Sequence, residues 1–183
     1  MNGNGVPLVW IDLEMTGLDA DHCHILEIAS LITNGDLEIL AEGPNLVLHQ
    51  TEDQLTTLSD WSRERFTQSG LIDRARASTV SLEAAETATL EFVARHCPQR
   101  KSPLCGNSIH SDRAFLARHM PLLHDWLHYR NVDVSTVKEI ARRWYGPRFQ
   151  PPKKADSHVA LTDIRESVAE LRYYRDTFFV PRG

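Results

Sequence analysis

Asp12 and Glu14 stand two residues apart at the end of an apolar stretch, in the run Trp10-Ile11-Asp12-Leu13-Glu14. Side chains alternate across a strand, so both carboxylates project to the same side. Two such charges ~5 Å apart, at an effective dielectric near ~20, repel by about 3 kcal/mol. A hard cation relieves that repulsion, because Mg²⁺ and similar ions prefer oxygen ligands. A strand end running out into solvent accounts for the pair equally well. Two further acids bear on the choice. Asp112 follows the short apolar run Leu104-Cys105 at the start of a predicted helix, where strand ends commonly build sites. Asp163 lies on the last predicted helix, roughly 90° from the centre of its apolar stripe, and such a flank can face a cleft. Taken singly, Asp112 is explained by a helix N-terminus and Asp163 by solvent. His158 precedes Asp163 by five residues, which on one continuous helix would turn them about 140° apart. They converge only if His158 sits before the helix, with Ser157 as its cap. An imidazole there suits a general base titrating near neutrality, although a lone histidine is more often a surface residue.

Positioning these groups requires a strand to carry the first pair and helices to carry the rest. Residues 6–13 are apolar and β-rich and predict a first strand, residues 25–33 a second. Residues 37–40 open a third, which resumes at 46–48. Asn34-Gly35 between the second and third favours a two-residue hairpin turn. Thr51 followed by Gln54 makes a capping box, and a second helical stretch runs through Trp61 and Phe66. Ser81 caps a longer helix to about His96, with Leu82, Ala85, Thr89 and Val93 along one side. Residues 103–106 read as a short strand and 111–119 as a helix. Another strand spans 131–134, with Ser135 as the N-cap of a helix whose apolar side holds Val137, Ile140, Ala141 and Trp144. Gly146-Pro147 ends it, and 146–157 is a proline-rich loop. A final helix covers 159–178, with Ala160, Ile164, Val168, Leu171 and Arg175 on one face. A hairpin-rich start followed by alternating strands and helices predicts one α/β domain over 1–183, its core at about 6–178: a mixed sheet flanked by helices.

Composition narrows the function. The chain has 183 residues, 42% hydrophobic and 25% charged, ordinary for one soluble domain. No run of apolar residues is long enough for a membrane span. The first residues carry neither a basic nor an apolar signal region, so a cytoplasmic address is expected. Cys23, Cys97 and Cys105 are odd in number and scattered, which fits a reducing compartment. His22-Cys23-His24 has no second ligand pair at finger-like spacing, so structural zinc is not expected. The net charge of −5 offers no general grip on long nucleic acid, least of all a long duplex. Phosphate chemistry here would rely on local contacts and metal ions, which favours a small substrate.

In type, order and spacing, Asp12, Glu14, Asp112, His158 and Asp163 match the DEDD exonuclease signature of the histidine subtype, with Val159 where the sister subtype needs a tyrosine. Asp12-Leu-Glu-Met-Thr-Gly-Leu18, Gly106-Asn-Ser-Ile-His-Ser-Asp112, His128-Tyr-Arg130, Asp133-Val-Ser-Thr136 and the tail His158 to Ser167 resemble the oligoribonuclease family over nearly the whole chain. The resemblance implies a ribonuclease H-like fold, with three antiparallel and two parallel strands, and a homodimer. It implies 3′-to-5′ release of nucleoside 5′-monophosphates from short single-stranded RNA, down to dinucleotides. Asp12, Glu14, Asp112 and Asp163 would hold two divalent ions, Mg²⁺ or Mn²⁺, and His158 would take a proton from the attacking water. Leu18 would wedge between bases and Trp61 would offer a stacking face. Core packing is the ordinary explanation of both, and the favoured one for Trp61 alone. Ser108, Arg130 and Ser135 would meet a 5′ phosphate, with His128 and Tyr129 beside them and Tyr129 reaching from a partner subunit. A plain turn rim explains His128-Tyr-Arg130 equally well.

Two other functions use the same residues. A DNA-proofreading exonuclease often has a polymerase-binding extension, for which this chain has no room. A ribonuclease T-like tRNA trimmer would profit from basic patches, which the net charge argues against. A non-catalytic module that binds nucleotide ends would be favoured by loss of an acid, yet every motif position is filled.

Overall fold

The computed structural model describes residues 5–146, 151 and 160–180. Leu8–Met15 (β1), Ile25–Thr33 (β2), Ile39–Val47 (β3), Pro103–Gly106 (β4) and His128–Asp133 (β5) form one sheet in the order β3-β2-β1-β4-β5. β1 and β3 run antiparallel to β2, while β4 runs parallel to β1 and β5 parallel to β4. This is the mixed sheet predicted above. The helices are Glu52–Leu55 (α1), Asp60–Gln68 (α2), Leu71–Ala77 (α3), Leu82–His96 (α4), His110–His119 (α5), Pro121–Trp126 (α6), Val134–Tyr145 (α7) and Ala160–Phe178 (α8). No helix among the described residues is long and apolar enough to cross a membrane.

β2 is buried at every position, because helices cover both faces of the sheet at its centre. β1 divides its side chains between two cores. Val9, Ile11 and Leu13 pack with Phe92 and Val93 of α4 and Phe115 of α5. Trp10 turns the other way, onto Ile164, Val168 and Tyr174 of α8. Its buried indole N–H donates to Thr33 Oγ1 at 3.0 Å. Trp10→Phe keeps most of the apolar contact but loses this bond, and should cost about 1–2 kcal/mol. The measurement is the urea midpoint at constant slope; an unmoved midpoint would show that the bond contributes nothing.

Several local features depart from the sequence-based expectation. The first strand starts later and runs two residues further, to Met15. The third strand is continuous rather than split. It passes through Pro44 because β3 is an edge strand, where a missing N–H breaks no ladder, and the pairing with β2 shifts register there. The turn before it is a three-residue loop, Gly35-Asp36-Leu37, closed by Leu37 N–H to Asn34 O at 3.1 Å and Asn34 N–H to Glu38 O at 3.0 Å. Leu37, not Gly35, takes the left-handed conformation (φ 65°), at a cost of roughly 1–2 kcal/mol. Burial of its side chain against α8 and a hydrogen bond from Arg172 to its carbonyl offset that cost. Thr51 and Ser81 cap α1 and α4 as predicted, but Asp133 rather than Ser135 caps α7. On α8, Glu170 and Tyr174 are buried in place of Arg175, which reaches Asp36 O instead. On α7 only Ala141 of the predicted stripe is buried; Trp144 is 75% exposed. Ser157, His158 and Val159, with most of the proline-rich loop, lie outside the described residues.

Candidate active site

Asp12 and Glu14 leave β1 on the Trp10 face, the side covered by α8. Asp163 stands in the first turn of that helix. One oxygen from each of Asp12, Glu14 and Asp163 lies within 4.8 Å of the others, the one such grouping of metal-ligating side chains among the described residues. Asp112 falls outside that grouping. It is buried on α5, and its Oδ1 accepts the Leu13 N–H at 3.0 Å. Asp112 therefore ties α5 to the β1 residue that separates the two strand acids.

The electrostatics show what this arrangement lacks. Burial, then the charges of Asp163, Glu27 and Asp112, push the Glu14 carboxyl up to about 8, while Arg65 opposes them. Burial likewise holds Asp112 well above the usual carboxylate range. Carboxyls forced to keep protons at neutral pH are short of positive charge. Clustered hard oxygen donors in that condition fit a divalent cation.

The loop after β1 presents the next group. Thr16 Oγ1 accepts His24 N–H at 3.0 Å, and its N–H donates to His24 O at 2.9 Å, pinning the turn to the start of β2. A Cβ at Gly17 would come within 2.7 Å of the Cys23 Sγ, so a side chain here would displace Cys23. Leu18 then projects 80% exposed. Trp61 is 62% exposed, with the Arg65 guanidinium 4.6 Å from its ring centre. Core packing explains neither residue.

Ser108 and Ser135 come together where β4 and β5 end. Ser108 has φ 51°, and its N–H donates to Asp133 Oδ1 and Ser135 Oγ, both at 2.9 Å. Their hydroxyls are 3.2 Å apart. Non-glycine residues held in that conformation gather at ligand-binding sites. His128, Tyr129 and Arg130 sit on the edge strand β5, where Arg130 Nε donates to the Tyr129 hydroxyl at 3.1 Å and its N–H to His128 Nδ1. Tyr129 is 74% exposed.

The family model for the RNase_T exonuclease domain matches residues 9–171. Among curated relatives, the oligoribonuclease of Pseudomonas syringae pv. syringae is 53% identical over 174 residues, covering 95% of this chain and 97% of that protein. The Escherichia coli O139:H28 oligoribonuclease is 52% identical over 178 residues, covering 97% and 98%. This chain belongs to the oligoribonuclease family. Its fold is also that of exonuclease I. The Methylocaldum szegediense enzyme superposes with a TM-score of 0.72 at 17% identity, covering 94% of this chain. The zinc-bound E. coli enzyme in complex with single-stranded DNA gives 0.75 at 13%, covering 96%. This chain spans 41% of each of those longer chains.

Several oligoribonuclease residues at this site escaped the sequence-based expectation. Glu27 lies directly across the ladder from Glu14, fully buried, with Arg74 Nη2 3.7 Å from its Oε2. Burial raises its carboxyl despite Arg74 and Asn45. A charged residue inside the largely apolar run 25–33 was a legible signal. Arg65 and Asn107 left no such mark, because their roles depend on contacts between distant segments.

Proposed function

We propose that this chain is a 3′-to-5′ exoribonuclease that hydrolyses very short RNA, down to dinucleotides, to nucleoside 5′-monophosphates. One observation carries it: carboxylates from β1 and α8 converge on one point, on a chain that belongs to the oligoribonuclease family. Asp12, Glu14 and Asp163 would hold the cations, with Asp112 completing the set. When bound, two divalent ions, Mg²⁺ or Mn²⁺, supply Lewis-acid activation of water and stabilisation of the departing oxygen. His158 accepts the proton of the attacking water. Leu18 separates neighbouring bases and Trp61 offers a face for stacking, while the Arg65 guanidinium covers the Trp61 ring and its charge acts on Glu14. Ser108 and Ser135 receive the terminal 5′ phosphate, Arg130 adds a planar fork of donors, and His128 completes the rim. A closed end of this kind selects length, because a longer strand has nowhere to continue.

Tyr129 serves the partner subunit's site in a homodimer. The exposed apolar side of α7 supports that assembly: Ile140, Trp144, Phe179 and Val180 line a groove of 410 Å³. The cytoplasm is the expected setting, since the three described cysteines are all free.

Turnover of a 5′-phosphorylated dinucleotide against a twenty-nucleotide RNA, each at limiting concentration with Mn²⁺, tests the length selection. The dinucleotide should be consumed at least about tenfold faster per molecule, the penalty expected for end contacts a long strand cannot make. Faster cleavage of the long strand would instead favour a tRNA-trimming type of activity.

A further inference from the structure

Asn107 links the Ser108–Ser135 pair to the buried interface between α7 and α8. Its Nδ2 donates to Ser167 Oγ at 2.7 Å and to Glu170 Oε2 at 3.3 Å. Its Oδ1 therefore faces the other way, where it accepts the Ser135 hydroxyl at 3.1 Å. The reverse orientation would set the amide oxygen against a carboxylate, so only one orientation satisfies every partner. Glu170, 2% exposed, also accepts the Tyr174 hydroxyl at 2.6 Å and lies 3.4 Å from Lys138 Nζ. Donors from the β4–α5 connection, α7 and α8 thus hold one buried carboxylate, and the charge-assisted bonds stiffen the network. On the side of the serine pair, Ser135 Oγ accepts the N–H of Ser108, whose φ is 51°. On the other side, Ser167 Oγ donates to the carbonyl of Asp163 at 2.8 Å. A single amide therefore touches both the serine pair and the helical turn that presents a metal-ligating acid.

We propose that Asn107, anchored on Glu170, is a positioning residue that orders the Ser108–Ser135 pair for the substrate's terminal phosphate and holds it in register with Asp163. The proposal rests on reading that pair as the 5′-phosphate subsite. Asn107 itself touches no substrate atom. Its effect is to fix the distance between the phosphate grip and the reacting bond, which is one nucleotide long in a dinucleotide.

The test compares kcat/KM for pApA and for ApA, which lacks the 5′ phosphate, in wild type, Asn107→Ala and Glu170→Gln, with melting temperatures recorded for all three. In Asn107→Ala the preference for pApA should fall about tenfold, carried by KM, with the ApA rate within about threefold of wild type. Glu170→Gln, nearly isosteric, should lower the preference about threefold by disturbing the amide's orientation. If Asn107→Ala does not fold, Glu170→Gln decides on the same ratio. A merely structural role would depress both substrates together and leave the ratio intact, which overturns the proposal. A wild-type enzyme that does not prefer pApA removes the subsite itself. A wild-type preference retained in both variants leaves the subsite standing and overturns the role of Asn107.

Discussion

Asp12→Asn is expected to lower kcat for dinucleotide hydrolysis by roughly 10³-fold or more. The substitution preserves shape and replaces one of three carboxyl groups whose oxygens converge within 4.8 Å. Without that carboxyl group the cation site loses a ligand, and the water and departing oxygen lose their activation. The double variant Asp12→Asn, Asp163→Asn should be only slightly less active than either single variant, since ligands of one centre act as a unit. The measurement is monophosphate release at saturating Mn²⁺, alongside the melting temperature of each protein without metal. A loss below tenfold would move the chemistry elsewhere on the molecule. So would effects of the two substitutions that simply multiply.

The second large effect is on stability as a function of pH. The Glu14 carboxyl, near 4.5 in the unfolded chain, is pushed up to about 8 in the fold. Between those values the native state holds a proton that the unfolded state has released. Stability is therefore fully present below about 4.5 and is lost as pH rises towards 8. Asp112 and Glu27, also raised by burial, act in the same direction. The exposed carboxylates held low by ion pairs, such as Glu52 beside Arg76, titrate on the acid side of this window. The metal-free protein should lose on the order of 3 kcal/mol between pH 5.5 and pH 8. Adding Mn²⁺ should restore more stability at pH 8 than at pH 6, because the ion binds the deprotonated ligands. Glu14→Gln should flatten most of the slope. Urea titrations at several pH values, with chelator and with Mn²⁺, provide the comparison. Metal-free stability that stays level or rises across this range would contradict the origin assigned here to the raised carboxyls.

Much of the scaffold was legible in the residue order. Period-two alternation placed Asp12 and Glu14 on one side of β1, and the structure keeps them there. Residues 25–33 announced a strand by their β-rich, largely apolar composition, and Thr51 and Ser81 announced their helices by local capping chemistry. These features depend on neighbours a few residues away. Where the outcome turned on distant partners, local signals misled. Asn34-Gly35 favoured a two-residue turn, but burial of Leu37 against α8 moved the left-handed residue past the glycine. Arg175 stepped along a plausible stripe, yet the buried Glu170–Tyr174 pair took the interior. Leu18 and Trp61 look like core residues in sequence and stand out in solvent.

The acids at 12, 14, 112 and 163 and their order were in the chain from the start. What only the tertiary structure decided was how they divide. Asp12, Glu14 and Asp163 share one point, and Asp112 is bound to the strand beside them. Glu27 is set against Glu14 because β2 returns antiparallel in that register. Asn107 meets Glu170 because α8 crosses behind β4 and α7. Covalent order sets which charges exist and which face of a strand they share. Their separation, and therefore their protonation, depends on how much water the packed helices exclude.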